Sequence, residues 1–167
     1  MKVVMTVLIV VLLLIATALL LPVVFSGPSK EVSASIRCLS QAKQVGTALM
    51  MYAQDYDERL PPAEKWMTVT LPYMKDAKIY LCPTVHQADD KAVASGAMDT
   101  RLSGKSLAKL SNPDSVLLAY ESTRTDWDAT DPAQTFAPRH NGHGNVIFAD
   151  GHAKLLKHEI FATTAKK

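Results

Sequence analysis

The chain has 167 residues, 48% of them hydrophobic, and its 18 Lys and Arg stand against 16 Asp and Glu for a formal charge of +2. Once an N-terminal apolar run is set aside, that length holds one modest domain. The basic residues scatter from Lys2 to Lys167 with no basic stripe interleaved with aromatics, which argues against nucleic acid as a partner, and no internal repeat or low-complexity tract is visible.

Residues 3–25 are almost unbroken Val, Leu, Ile and Ala, interrupted by Thr6, Thr17 and Pro22 and carrying no charge. About 20 such residues cross the hydrocarbon core of a bilayer as a helix, so residues 1–26 are read as a transmembrane anchor with the lipid bilayer as its partner. A removable signal has a shorter apolar region, about 7–15 residues, and a small-x-small cleavage site; Val24-Phe25-Ser26 is a tolerable one, but the length favours an anchor that is retained. Lys2 and the free amino group favour a cytoplasmic N-terminus by the positive-inside rule, while Lys30 and Arg37 on the other side weaken the bias. Residues 27–31 form a joint at Gly27-Pro28, and residues 32–167 form the domain.

Within that domain, Val32, Ile36, Leu39, Ala42, Val45, Leu49, Tyr52 and Tyr56 recur at steps of three and four, which predicts an amphipathic helix over residues 32–56. Leu60-Pro61-Pro62 forbids its continuation. A short helix is expected within 63–74, an extended piece at 78–81, loop over 87–111, a strand at 115–121 and loop again over 123–138. Residues 145–149 and 152–156 read as two strands joined by Asp150-Gly151, a dipeptide suited to a type I′ turn in which both central residues take positive φ. Pairing outward from a two-residue turn sets Ala149 against His152 and predicts that Val146, Phe148, Ala153 and Leu155 face the amphipathic helix. Residues 157–163 suit a last helical turn.

Cys38 and Cys82 are an even pair in what reads as an exported domain. A bridge would close a loop of some forty residues and contribute roughly 2–4 kcal/mol; the other reading is two buried free thiols, since spacing cannot show that the Cβ atoms meet. His140, His143, Asp150 and His152 offer imidazoles and a carboxylate suited to zinc, against which stands the turn role of Asp150 and Gly151. Asp126, Asp128 and Asp131 offer hard oxygens for calcium, yet Asp131 occupies the position where an EF-hand loop needs Gly. No Gly-x-Ser-x-Gly elbow or other catalytic constellation is present. The residues therefore suggest a protein without catalysis and without a cofactor. The alternatives are a metal-dependent enzyme on the histidine cluster and a calcium-stabilised binding module on the aspartate cluster.

Three stretches taken together resemble a known family. Arg139-His140, nine residues and Asp150-Gly151 resemble the His-x9-Asp-Gly motif of bacterial prepilin-type, processing-associated proteins. Residues 38–46 (CLSQAKQVG) and 51–61 (MYAQDYDERLP) are similar to that family's helix segment, and Cys82-Pro83 falls where it has a second cysteine. The resemblance covers about residues 37–152. It implies an α+β, pilin-like fold, with a long N-terminal helix packed by its outer half on a small antiparallel sheet. It also implies a cell-envelope setting in which other pilin-like subunits or secretion components are partners. One departure is plain: such proteins begin with a short basic leader, a Gly before a Phe cleavage site and a Glu early in the mature helix. This chain has no Gly before Gly27 and no acidic residue before Glu31. An uncleaved single-span anchor with an extracytoplasmic C-terminal domain is the expectation.

Overall fold

A computed structural model describes residues 2–24, 29–88, 91–92 and 94–166; the Gly27-Pro28 joint and the Phe25-Ser26 part of the tolerable cleavage site lie outside them. The chain divides into two units, Met1–Lys30 and Glu31–Lys167. The first is helix α1, Lys2–Val24, which spans about 34 Å at 1.5 Å per residue. Its residues 2–20 are exposed on every side, and the stretch is long and apolar enough to cross a membrane. Its two hydroxyls are spent inside the helix, Thr6 Oγ1 donating to the Lys2 carbonyl (2.7 Å) and Thr17 Oγ1 to that of Leu14 (2.9 Å), as an apolar surround requires.

The second unit is built on helix α2, Lys30–Asp55, with Glu31 in its first turn where the helix dipole favours an acid. Of the eight-residue stripe, Val45, Leu49 and Tyr52 are buried and Leu39 and Ala42 half-buried, whereas Val32, Ile36 and Tyr56 are exposed. Cys38, Gly46, Ala48 and Ala53 complete the buried face. The domain therefore covers the C-terminal two-thirds of the helix and leaves the apolar side chain of Ile36 in its second turn uncovered. Asp57 and Glu58 then take positive φ (54° and 55°), ending the helix ahead of the two prolines.

A 3-10 turn (Ala63–Lys65), helix α3 (Trp66–Thr70) and a second 3-10 turn (Leu71–Tyr73) follow. The extended piece expected at 78–81 is instead a 3-10 helix, Ala77–Tyr80, because the Asp76 carboxylate accepts from the Lys78 amide (2.9 Å) and starts a turn. It delivers Tyr80 edge-on to Trp66 and Trp127, with ring centroids 5.6 and 5.3 Å apart. Helix α4, Pro83–Ala88, comes next.

Strands β1 (Gly96–Asp99), β2 (Leu117–Glu121), β3 (Thr130–Asp131), β4 (His143–Phe148) and β5 (Ala153–Lys157) form one sheet in the order β3-β1-β2-β4-β5. Two corrections follow. The loops expected over 87–111 and 123–138 each contain a strand, β1 and β3; both are short, and β1 carries Gly96 and Asp99, residues depleted in strands. The sheet is mixed rather than antiparallel: β1 and β3 pair in parallel (Met98↔Thr130), which the long connection between them permits. Helix α5, His158–Thr164, closes the chain.

The turn at Asp150-Gly151 also differs from the expectation. Phe148 pairs with His152, the Phe148 amide donating to the His152 carbonyl (2.9 Å), and the Gly151 amide donates back to the Phe148 carbonyl (2.9 Å). Three residues therefore form the loop, and Gly151 alone of them has positive φ (87°). This is a type I turn closed by a left-handed glycine rather than a type I′ turn. The extra loop residue slips the register by one, to Ile147↔Ala153 and Val146↔Lys154, and a one-residue slip exchanges faces. Ile147 and Ala149 consequently pack with Val45 and Leu49 of α2 in place of Val146 and Phe148, while Ala153 meets that face as expected. Val146 and Phe148 lie on the opposite face with Tyr120, Phe136 and Phe161. Apolar clusters therefore lie on both sides of the sheet.

Gly46 of α2 and Gly151 of the turn meet at the crossing. A Cβ on Gly46 would overlap the Gly151 carbonyl oxygen, and one on Gly151 would stand 2.5 Å from Met50 Cγ and 3.2 Å from the Gly46 carbonyl. Gly151→Val, which adds left-handed strain to that crowding, is expected to cost about 2–4 kcal/mol. Gly46→Ala should also destabilise despite its better helix propensity. Asp150→Asn should be mild, since an Asn Oδ1 can still accept from the His152 amide as Asp150 Oδ1 does at 3.0 Å. Denaturant midpoints of the full chain in detergent check this order, and a chelator should change none of the three shifts.

Candidate functional site

Between α2 and the sheet four side chains with ligand chemistry converge. Cys38 comes from the middle of α2 and Cys82 from the residue before α4, where Pro83 takes the first helical position, for which a ring nitrogen without a proton is no loss. The two are joined in a disulfide with Cα atoms 5.4 Å apart, inside the usual range. The Cys82 amide donates to Ser95 Oγ (2.8 Å), fixing the cysteine against the chain just before β1. Glu121 ends β2. His140 precedes β4 and is held by a tight turn, its amide donating to the His143 carbonyl (2.8 Å) and the His143 amide donating back (3.0 Å). Asn141 and Gly142, the central pair of that turn, both have positive φ (51° and 77°). This is the type I′ geometry expected one turn later, carried by an Asn-Gly pair that is the stronger signal for it.

His140 Nε2 lies 3.1 Å from Glu121 Oε1 and 3.7 Å from Cys82 Sγ. Glu121 Oε2 accepts the Asn145 amide at 2.7 Å, so both carboxylate oxygens are engaged. Ligand atoms of Cys38, Cys82, Glu121 and His140 all lie within 4.8 Å of one another, and all four residues are buried. Arg139 supplies the nearby positive charge. Its guanidinium donates to the Ser122 carbonyl; burial pulls its pKa down, and the charge of Glu121 opposes that pull.

A cavity of about 50 Å³ adjoins this cluster, lined among others by Gln41, Trp66, Tyr80, Glu121 and Asn145. Asn145 is 2% exposed, and neither its side-chain nitrogen nor its oxygen has a hydrogen-bond partner among the described residues. Buried amides without partners are costly; the cavity wall is otherwise mostly apolar, and it is roomy enough for a water beside that amide. Burial pushes the Tyr80 phenol up to about 12, against the opposing Thr70 hydroxyl at 2.7 Å, which leaves it protonated at neutral pH and unsuited to serve as a base.

The residues grouped from sequence as a zinc site do not gather. His140 turns toward Glu121 and Cys82, whereas His143 Nδ1 lies 3.0 Å from its neighbour's carbonyl, that of Asn141. Asp150 and His152 pair with each other (2.5 Å), and His152 stacks on Phe148 with centroids 4.4 Å apart. That pair sits at the other end of β4 from His140, about 20 Å along a six-residue strand. The aspartates are likewise divided. Asp126 pairs with Arg124 (2.8 Å), and Asp128 accepts from the Met67 and Thr68 amides (2.6 and 3.0 Å) at the start of α3. Asp131 accepts from the Tyr120 and Thr135 hydroxyls and from the Gln134 amide (2.6 Å). Glu121 and Asn145 were not singled out from sequence, because no spacing rule links them to His140. The only hint was an acid closing an apolar strand.

Comparison of the chain with family models, with curated proteins and with solved structures gave no match.

Two measurements probe this region. Mass spectrometry under non-reducing conditions should show the bridge as a loss of two hydrogens, and Cys38→Ala with Cys82→Ala should cost about 2–4 kcal/mol for a cross-link at separation 44. Asp131 provides a pH test. Burial works against its charge, but the donors from Thr135, Tyr120 and Gln134 outweigh it and hold its pKa below the usual carboxylate value. Its stabilisation is thus complete above about pH 4 and is lost as pH falls through the depressed folded value. Stability measured from neutral to strongly acidic pH should fall less steeply below pH ~4 in Asp131→Asn than in the parent.

Proposed function

We propose that this chain is a membrane-anchored, pilin-like structural or interaction protein of the bacterial cell envelope, with no catalysis of its own. The observation that carries the reading is α1, a helix of membrane-spanning length whose one charge is Lys2 at its start and whose residues 2–20 have no buried face. In water that surface would aggregate; in lipid it is satisfied. The disulfide suits a domain on the oxidising side of the membrane, which with Lys2 at the other end gives a cytoplasmic N-terminus. Support for the pilin-like part comes from the resemblance in residues 37–152. It also comes from α2, whose C-terminal two-thirds packs on the sheet while Ile36 stands 60% exposed nearer the anchor. A second subunit or secretion component could take that apolar position. Less support falls to the metal-enzyme alternative, because His140 pairs with Glu121 while Asp150 and His152 pair with each other.

Membrane extraction and protease protection test the proposal. The protein should resist carbonate extraction, keep an N-terminus at Met1 or Lys2, and lose its domain to protease added outside intact spheroplasts. Recovery as a soluble protein starting near Gly27 would make α1 a signal instead. A domain protected in spheroplasts would reverse the orientation. A photo-crosslinking residue at Ile36 should give adducts with other envelope proteins or with a second copy; adducts with lipid alone would count against an interaction role.

A further inference from the structure

We infer that Cys38, Cys82, His140 and Glu121 form a zinc(II) site in the dithiol form of the protein, so that the same two sulfurs hold either a disulfide or a metal ion. Helix α2, strand β2 and two loops bring these ligands to one buried point, with their ligand atoms within 4.8 Å of one another. A tetrahedral ion with Zn–S near 2.3 Å and Zn–N or Zn–O near 2.0–2.1 Å needs ligand atoms about 3.3–3.8 Å apart. His140 Nε2 already stands 3.7 Å from Cys82 Sγ and 3.1 Å from Glu121 Oε1. The two sulfurs must separate, and they are free to do so once the bond between them is cleaved.

The surroundings suit an ion as well. The Asn145 backbone N–H donates to Glu121 Oε2 (2.7 Å) and orients the carboxylate from outside the ligand set, while its side-chain amide has no partner among the described residues. Two thiolates, one carboxylate and Zn²⁺ sum to a charge of −1, and Arg139, whose guanidinium interacts with Glu121, offsets it. The adjoining cavity gives room for a water, and the unpartnered, 2% exposed amide of Asn145 lines it. The chemistry balances in two steps. A dithiol reductant donates two electrons and two protons to the Cys38–Cys82 bond and becomes a disulfide itself. Zinc then binds the two thiols and releases their two protons to solvent. A disulfide oxidant reverses the sequence: it takes two electrons from the two thiolates and two protons from solvent, becomes a dithiol, and the Cys38–Cys82 bond reforms as the ion leaves.

The test uses the full chain in detergent, with zinc(II) for stoichiometry and cobalt(II) as the spectroscopic probe. After reduction with a phosphine that does not hold metal, the protein should bind one zinc and give the intense visible absorption of tetrahedral, thiolate-bound cobalt. The oxidised protein should bind neither. Glu121→Gln and His140→Ala should each weaken zinc binding by about 10–100-fold or more, and Cys38→Ser should abolish the cobalt–thiolate bands. Each of the first two variants retains the disulfide when oxidised, so its fold is checked separately by circular dichroism in that form. Should His140→Ala fail this check, Glu121→Gln decides alone. The inference is overturned by a reduced parent without the cobalt spectrum, by equal zinc uptake in the oxidised form, or by folded variants that bind as the parent does.

Discussion

The approach of α2 to the β4–β5 turn at Gly46 and Gly151 is the constraint on which the rest of the domain rests. The glycine inside α2 has a cost of its own, about 0.5–1 kcal/mol relative to alanine. It is offset because a helix carrying a side chain there would be held away from the Gly151 carbonyl. Separation at that point would lift Val45 and Leu49 from Ile147, Ala149 and Ala153 and open the larger of the two cores. Gly151 has two duties: it takes the left-handed φ that closes the three-residue loop, and it leaves space for Met50.

A second tie lies farther along the same helix. Cys38 is seven residues before the Val45 contact, about two turns, and its bridge to Cys82 fixes the end of α2 that the sheet holds less fully. Val85 and Ala92 pack on the bridge in a small cluster of their own, apart from the two main cores. Around it sits the most polar part of the interior, Glu121, His140 and Asn145, each buried and each close to the cavity or the disulfide. Polar groups placed there do not help packing. Their concentration beside a disulfide makes that point chemically distinctive among the buried polar groups of the domain.

Both main cores lie on the same sheet. One face meets α2, Trp66, Met67 and Tyr80; the other meets Phe136 and Phe161, whose rings stack with centroids 4.0 Å apart. Tyr120 joins that second face edge-on to Phe161 at 5.2 Å while its hydroxyl reaches Asp131. Asp131 thus ties β2 to the loop after β3, and the Asp128 carboxylate starts α3.

What the sequence determined by itself is whatever depends on local periodicity and composition. The uncharged run of α1, the three-and-four stripe of α2, its stop before Pro61-Pro62 and the apolar strands on either side of Asp150-Gly151 were all legible, because each is a property of neighbours along the chain. Tertiary structure alone decided what depends on count or on distant partners. One extra residue in the β4–β5 loop reversed which face of β4 meets α2, and no local pattern separates a two-residue from a three-residue loop there. Strands β1 and β3 are too short and too poor in β-formers to show as strands until their neighbours pair with them. His140 was legible as part of a motif, but its partners Glu121 and Cys82 lie 19 and 58 residues away. Only the folding of α2, β2 and two loops around one point brings an imidazole, a carboxylate and two sulfurs into contact distance.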